Sequence, residues 1–398
     1  MKRGLGMDPG VVIAGAGQGG FQVAASLRAG GYQGSITLIG DEPHLPYQRP
    51  PLSKEYLLGK QGIEKTDLRP RSFYEAQNIA LMVGERAVEI DRGNQRVRLA
   101  SGQSIPYSNL VLATGARVRR LADDLIDGAL YLRSRDDAIE IKERLDDASS
   151  VASVAIVGGG FIGLEVAAAA RALGKRVTVV EMQPRLMARV VAPVISQFYC
   201  ELHAEHGVEI RFGAQAIPEA DMRVAGVGVI PNDELARDAG LTTANGIAVD
   251  AYLRTSDQNI YAIGDCAEHD NPYAGDRVRL ESVQNAVDQA KCAAANIIAN
   301  AAAQPYDAVP WFWTHQFDIM LQMAGLSAGC DQVVMRGDPG SRKFSVFYFK
   351  DGRFRAADSI NRPADHMLAR KLLAAKAPVT PEQAADVGFN LKDLVHAP

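Results

Sequence analysis

Two stretches of the chain share one order of apolar and polar positions. In the first, the β-branched run Val11 to Ala14 enters a glycine turn at Gly15, Gly17 and Gly20, the helix-prone stretch Phe21 to Leu27 follows, and a second strand, Ser35 to Ile39, ends on Asp41. In the second, VAIVGGGFIG from Val154 to Gly163 repeats strand, turn and helix, and Val177 to Val180 with Glu181 repeats the acid-tipped strand. The period changes from strand to helix across each turn. The first glycine permits the tight turn, the second lets backbone approach a pyrophosphate at the helix N-terminus, and the third lets helix pack on strand. One such turn is a weak signal. Two complete copies in one chain predict two dinucleotide-binding folds.

Between and beyond the copies the pattern alternates with punctuation. The prolines of His44 to Lys54 forbid a regular helix or central strand, so this segment is an ordered loop or cap, with Ser53 a candidate N-cap for Glu55 to Leu58. Lys54, read by itself, is most simply a surface lysine. A meander of short strands is expected from Leu81 through Val88 to Ile90 and over Arg96 to Leu99, and LVLATG (Leu110 to Gly115) closes the first nucleotide half. The second helix is expected over Ile162 to Leu173, stopped at Gly174. Glu165 sits inside it among apolar neighbours, Leu164, Val166 and Ala167 to Ala170; it is either a solvated face residue or a carboxylate turned to a ligand, and those neighbours favour the latter. Glu181 at its strand tip suits an adenosine ribose diol and repels a 2'-phosphate, which favours NADH over NADPH, although Arg185 and Arg189 lie nearby.

Gly84 to Ala87 matches Gly213 to Ala216, and Ile105 to Thr114 matches Ile217 to Gly226, yet residues 88–104 have no counterpart in the second half: either that nucleotide half is truncated, or a flexible segment is absent at the seam between Ala216 and Ile217. Val224 to Pro231 is expected to line the second nucleotide. IYAIGDCA (Ile260 to Ala267) brings Asp265 to a strand tip, where it either accepts from a polyol or serves as a turn residue. A helix over Gln284 to Ile298 returns to the first half. From Trp311 on, alternating strands and two closing helices predict an α+β domain. The fold class is α/β: two Rossmann-like dinucleotide-binding domains, glutathione-reductase-like, plus a C-terminal α+β domain.

Composition narrows the function without choosing it. With 398 residues, 47% hydrophobic and 23% charged, the chain is long enough for two or three domains. A net charge of -4 argues against general nucleic-acid binding, and no apolar run is long enough to span a bilayer, which leads to the expectation of a cytoplasmic protein without membrane attachment. Cys200, Cys266, Cys292 and Cys330 form no paired or zinc-like spacing; four buried thiols are expected, with no redox-active disulfide and no metal.

Taken in order, GAGQGG, LPYQRPPLSK, LVLATG, YLR, GGGFIGLEVA, VGVIPN, IYAIGDCA, LESVQNA and PWFW closely resemble the NADH-dependent ferredoxin reductases of bacterial oxygenase systems, of the putidaredoxin and palustrisredoxin reductase type. The resemblance spans nearly the whole chain. It implies an FAD-binding domain over 9–117 and 247–309, an NADH-binding domain over 118–246, and a flavin-covering domain over 310–398 that helps dock a two-iron two-sulfur ferredoxin. For FAD it implies Gly15, Gly17, Gly19, Gly20, Asp41, Arg49, Lys54, Ala87, Ala113, Thr114, Gly115, Arg133, Gly264, Asp265, Val283 and Trp313. For NADH it implies Gly158, Gly160, Ile162, Gly163, Glu165, Glu181 and Gly226. Lys54, Glu165 and Trp313 are the residues implied at the reacting ring, with Glu165 close to Lys54. Where the family carries serine-aspartate-glutamine after that tryptophan, this chain has Thr314-His315-Gln316.

The implied chemistry is hydride acceptance from NADH by FAD and release of electrons singly, with Lys54 stabilising the reduced ring and Glu165 holding that lysine charged and aimed. Without a cysteine pair, electrons leave from the flavin itself, toward a ferredoxin that serves a cytochrome P-450 monooxygenase or a ring-hydroxylating dioxygenase. Two rival readings use the same nucleotide folds: an NADH oxidase or monodehydroascorbate-type reductase, and a slow-turnover redox-sensing flavoprotein. Arg69, Arg71, Arg117, Arg119 and Arg120 are candidates for docking an acidic ferredoxin, although a solvated basic face explains each of them singly.

Overall fold

In the computed structural model Val11–Ala14 is the central strand of a five-stranded parallel sheet, and all four of its residues are buried because a central parallel strand is covered on both faces. Its neighbours are Ile36–Gly40 and then Ile79–Val83 on one side, Asn109–Leu112 and then Ile260–Ala262 on the other. Residues 9–122, 126–213, 216–299 and 302–396 are described. They divide into two units: one holds the chain up to Gln48, Thr66–Arg117 and Ile230–Ala308, the other Arg49–Lys65, Val118–Val229 and Val309 onward.

In the first unit the helix Gln18–Ala29 packs on the helix Val283–Ala299, which carries the expected return of the chain. The meander is Ala87–Asp91, Arg96–Leu99 and Ser104–Pro106. Its expected first member around Leu81 belongs instead to Ile79–Val83 in the parallel sheet, since a short apolar run does not reveal its pairing partner. The chain re-enters this unit at Ile230, ahead of the expected 247. Ala236 and Leu241 are buried in the same core as Val11 and Leu110, and the strand Gly246–Ala248 lies beside Ala267–Asn271.

The second unit holds the second parallel sheet, ordered Val208–Phe212, Arg176–Glu181, Ser153–Val157, Met222–Ala225, Leu130–Tyr131. Among the described residues no meander separates Val208–Phe212 from Met222–Ala225, yet Val154↔Met222 through Val157↔Ala225 pair in register. Ile217 packs beside Ile126, Tyr131, Val157 and Ala225. The C-terminal sheet is antiparallel, ordered Trp311–Gln316, Ile319–Gly325, Arg353–Ile360, Lys343–Lys350, Gln332–Asp338. It is not separate from the second nucleotide fold. Phe312 lies 4.7 Å from Phe161 by ring centroids, Phe198 lies 5.3 Å from Phe344, and the Ala192 N–H donates to the Tyr348 hydroxyl at 2.9 Å. Among the described residues no helix is long and apolar enough to cross a membrane.

Candidate functional site

The two glycine turns show why each glycine is there. Gly15 has φ +116° and Gly158 φ +106°, the left-handed region that glycine alone enters readily. A Cβ on Gly20 would stand 1.8 Å from the Gly15 carbonyl oxygen, and one on Gly163 would stand 2.1 Å from that of Gly158, so these glycines let helix close on strand. A Cβ on Gly17 or Gly160 would meet no protein atom within 4 Å. The space in front of these helix N-termini, whose N-caps use no side chain, is left open by Gly17 and Gly160. Gly19 has a different part: its Cβ would press on Ile263 at 3.2 Å and approach Ala286, so it fits the helix to the GDCA and ESVQNA segments rather than to open space.

In the first unit a cleft of about 450 Å³ brings together Gly15, Asp41, Ala87, Thr114, Arg117 and Asn232. Thr114 and Asn232 lock to each other, Thr114 Oγ1 donating to the Asn232 carbonyl at 2.6 Å and Asn232 Nδ2 to the Thr114 carbonyl at 2.9 Å, with the Asn232 N–H on Gly115 at 2.9 Å. Ala113 lies under Gly15, its carbonyl 2.1 Å from the point a Gly15 Cβ would occupy. The loop carrying Asp265 is held from two sides: the Gly264 N–H donates to Gln289 Oε1 at 2.7 Å, and Arg279 donates to the Asp265 carbonyl at 2.9 Å. Asn232, Gln289 and Arg279 were not singled out from the sequence, where nothing ties them to Thr114 or Gly264. Val283 begins its helix, half-buried.

In the second unit Glu181 turns back on the glycine turn, accepting from the Gly159 N–H at 2.7 Å and the Gln183 N–H at 2.7 Å. Arg185 donates to the Val191 carbonyl, the Ser196 hydroxyl and the Ala188 carbonyl, so it is occupied by its own segment rather than offered to a 2'-phosphate. Gly226 lies against Gly163: a Cβ there would stand 3.1 Å from the Gly163 nitrogen. Ile162 is exposed on the first turn of that helix.

Glu165 is 3% exposed and is not a solvated face residue. Lys54 Nζ donates to its Oε2 at 2.7 Å, the Ser53 hydroxyl to the same oxygen at 2.5 Å, and the Thr314 hydroxyl to Oε1 at 2.6 Å. Lys54 is therefore no ordinary surface lysine; its side chain is 12% exposed. Ser53 corrects the helix expected over Glu55 to Leu58. The prolines wind Pro50–Ser53 into a single 3-10 turn, Ser53 ends it, and its hydroxyl is spent on Glu165 instead of on an N-cap. Arg49 Nη1 donates to the Arg133 carbonyl at 2.5 Å, tying two expected site residues together in this unit. Trp313 is half-buried, 5.5 Å from the Trp311 ring, and strand alternation puts it on the face opposite Thr314 and Gln316. His315 shares the face of Trp313, so the departure from serine-aspartate-glutamine keeps a hydroxyl at the position that touches Glu165.

All four cysteines are free thiols, but only Cys266 is buried; Cys200, Cys292 and Cys330 are half-exposed, because the helix and loop positions they occupy border solvent. Burial pushes the Cys266 thiol up and the Cys292 thiol to about 11, so neither is a ready thiolate. Of the candidate docking arginines, Arg117 pairs with Glu234 at 2.6 Å, Arg69 lies over Phe73 and Arg120 over Tyr131.

The family described as pyridine nucleotide-disulphide oxidoreductase matches residues 9–218 and 217–290, and the reductase C-terminal family matches 311–395. The first match divides at 217–218, between the strands Val208–Phe212 and Met222–Ala225. Rhodocoxin reductase of Rhodococcus erythropolis is 48% identical over 403 residues, covering 96% of this chain and 93% of that protein. The crystal structure of the ferredoxin reductase for the CYP199A2 system from Rhodopseudomonas palustris is 48% identical, with a TM-score of 0.91 over 97% of this chain and 99% of that one. The reductase in the covalent putidaredoxin reductase-putidaredoxin complex is 39% identical, with a TM-score of 0.91 over 97% and 98%. With two glycine turns of one design, a lysine held by a buried carboxylate and these matches along its length, the chain belongs to the NADH-dependent ferredoxin reductases of the pyridine nucleotide-disulphide oxidoreductase family.

Proposed function

We propose that this enzyme passes electrons from NADH through FAD to a two-iron two-sulfur ferredoxin, which feeds a cytochrome P-450 monooxygenase or a ring-hydroxylating dioxygenase, in a cytoplasmic setting. FAD, when bound, accepts a hydride and gives up electrons one at a time. Gly15, Gly17, Asp41, Thr114 and Asp265 would hold it, and Gly158, Gly160, Gly163, Glu181 and Gly226 would hold NADH. Lys54 supplies positive charge for the flavin ring, and Glu165 fixes where that charge stands. The single observation that carries the reading is the Lys54–Glu165 contact at 2.7 Å, in which a buried carboxylate holds a partly buried ammonium, because a cation so firmly oriented stabilises negative charge where it develops. Arg133, Val283 and Trp313 are proposed at the flavin on the family resemblance alone.

The test is NADH-dependent cytochrome c reduction with each ferredoxin of the same genome added in turn, on protein purified with FAD. One ferredoxin is expected to raise the rate at least about tenfold over protein alone. Lys54→Ala is expected to keep FAD and to slow its reduction by NADH about tenfold in stopped flow. Protein that stays colourless on reconstitution with FAD, or rates that no ferredoxin raises, would overturn the proposal.

A further inference from the structure

The contacts of Glu165 do not stop at Thr314. Gln316 Nε2 lies 3.2 Å from Thr314 Oγ1, and His203 Nε2 lies 2.8 Å from Gln316 Oε1; Glu165, Thr314, Gln316 and His203 are all buried. The direction of every bond follows from chemistry. A carboxylate only accepts, so the Thr314 hydroxyl points its hydrogen at Glu165 and turns its lone pairs to Gln316. The amide NH2 of Gln316 therefore faces Thr314 and its oxygen faces His203, which leaves Nε2 of His203 as the donor. His203 Nδ1 is buried and has no hydrogen-bond partner, so it carries the bare lone pair. Burial pushes this imidazole down to about 4, which keeps it neutral.

We propose that His203 and Gln316 are positioning residues for the Lys54–Glu165 pair, acting through Thr314 as one chain of hydrogen bonds whose donors all point at the Glu165 carboxylate. The helix Pro193–Glu205 supplies His203, the strand Trp311–Gln316 supplies Thr314 and Gln316, and the helix Phe161–Ala172 supplies Glu165. The C-terminal sheet and the second nucleotide fold are in this way coupled to the orientation of one carboxylate. The aligned bond dipoles, cooperative in a low-dielectric interior, keep Glu165 in the rotamer that meets Lys54. The inference rests on the proposed role of Lys54 in flavin reduction.

Two measurements test it. In wild-type protein labelled with 15N-histidine, two-bond nitrogen–proton correlations are expected to give His203 the pattern of the Nε2–H tautomer, assigned by its loss in His203→Phe; an Nδ1–H pattern in the wild-type protein overturns the chain whatever the rates of the variants. In stopped flow, Thr314→Val is expected to slow flavin reduction about tenfold at saturating NADH with little change in its half-saturation, and Thr314→Ser to restore the rate to within about twofold. His203→Phe is expected to slow it about threefold, and the double variant His203→Phe, Thr314→Val to be no slower than Thr314→Val alone, since both cut the same chain. Additive losses overturn the inference. Slowing in Lys54→Met with none in Thr314→Val overturns the chain and leaves the lysine reading standing; no slowing in either overturns both.

Discussion

Glu181 is a residue whose role is carried by a few atoms. Its carboxylate closes on the Gly159 N–H while Arg185 is consumed by three bonds elsewhere. With Glu181 proposed at the adenosine ribose, where its charge would exclude a 2'-phosphate, Glu181→Ala is expected to lower the ratio of kcat/KM for NADH over NADPH at least about tenfold, measured by cytochrome c reduction with the cognate ferredoxin. An unchanged ratio would move ribose recognition away from Glu181. At this scale the sequence was informative wherever a residue's neighbours were local. Glu165 stands out because it interrupts an apolar helix; that pattern favours a ligand-facing carboxylate over a solvated one, and the structure buries it. Ser53, which follows Pro50, Pro51 and Leu52, resembles an N-cap, whereas its partner lies 112 positions away. Thr314 was seen as a departure from the family, and only its 2.6 Å contact with Glu165 shows that the hydroxyl is what matters.

Elements behave as the glycine spacing dictates, and the two kinds of glycine separate folding from binding. Gly20→Ala would set a Cβ 1.8 Å from the Gly15 carbonyl oxygen, and the helix Gln18–Ala29 must then move off its strand. We expect a loss of roughly 3 kcal/mol in the apoprotein, read by urea unfolding. Gly17→Ala adds a methyl group to empty space at an ordinary φ of -81°. Its apoprotein is expected to stay within about 0.5 kcal/mol of wild type while FAD affinity falls at least about tenfold, read by fluorescence titration. Equal destabilisation by both would refute the distinction. Element existence was legible because periods of 2 and 3.6 are local properties. Partnership was not: Ile79–Val83 joined the parallel sheet instead of the meander, and the second sheet keeps its order with no meander among the described residues, because Met222–Ala225 pairs with Ser153–Val157 on its own apolar pattern.

Across the whole molecule, buried titratable groups set opposing pH dependences. Burial lowers His203, His269 and His366 to about 4, below the ordinary 6.5, so the stability due to their neutral forms is complete above pH 6.5 and is lost as pH falls toward 4. Asp358 has the opposite sign. Burial raises it from 3.8 to about 7, against the hydroxyl bond from Tyr348, so its contribution is complete below about 4 and is lost as pH rises through 7. Tm is expected to climb between pH 4 and 6.5, because three groups oppose one. Asp358→Asn should steepen that climb and raise Tm above wild type at pH 8, checked by calorimetry across that range. A variant no more stable than wild type at pH 8 would show that Asp358 is not held protonated.

The sequence alone fixes whatever rests on neighbours along the chain: two strand-turn-helix units, the acids at their second strands, and the family. Tertiary structure alone decided what depends on distant segments meeting. It gave Ser53 and Thr314 to Glu165, locked Asn232 on Thr114, took residues 230–246 into the first unit, and packed the C-terminal sheet with the second nucleotide fold. The physical reason is that a periodic pattern fixes which face of an element is apolar, while a buried hydrogen bond is fixed only when the partner that must satisfy it arrives from elsewhere in the fold.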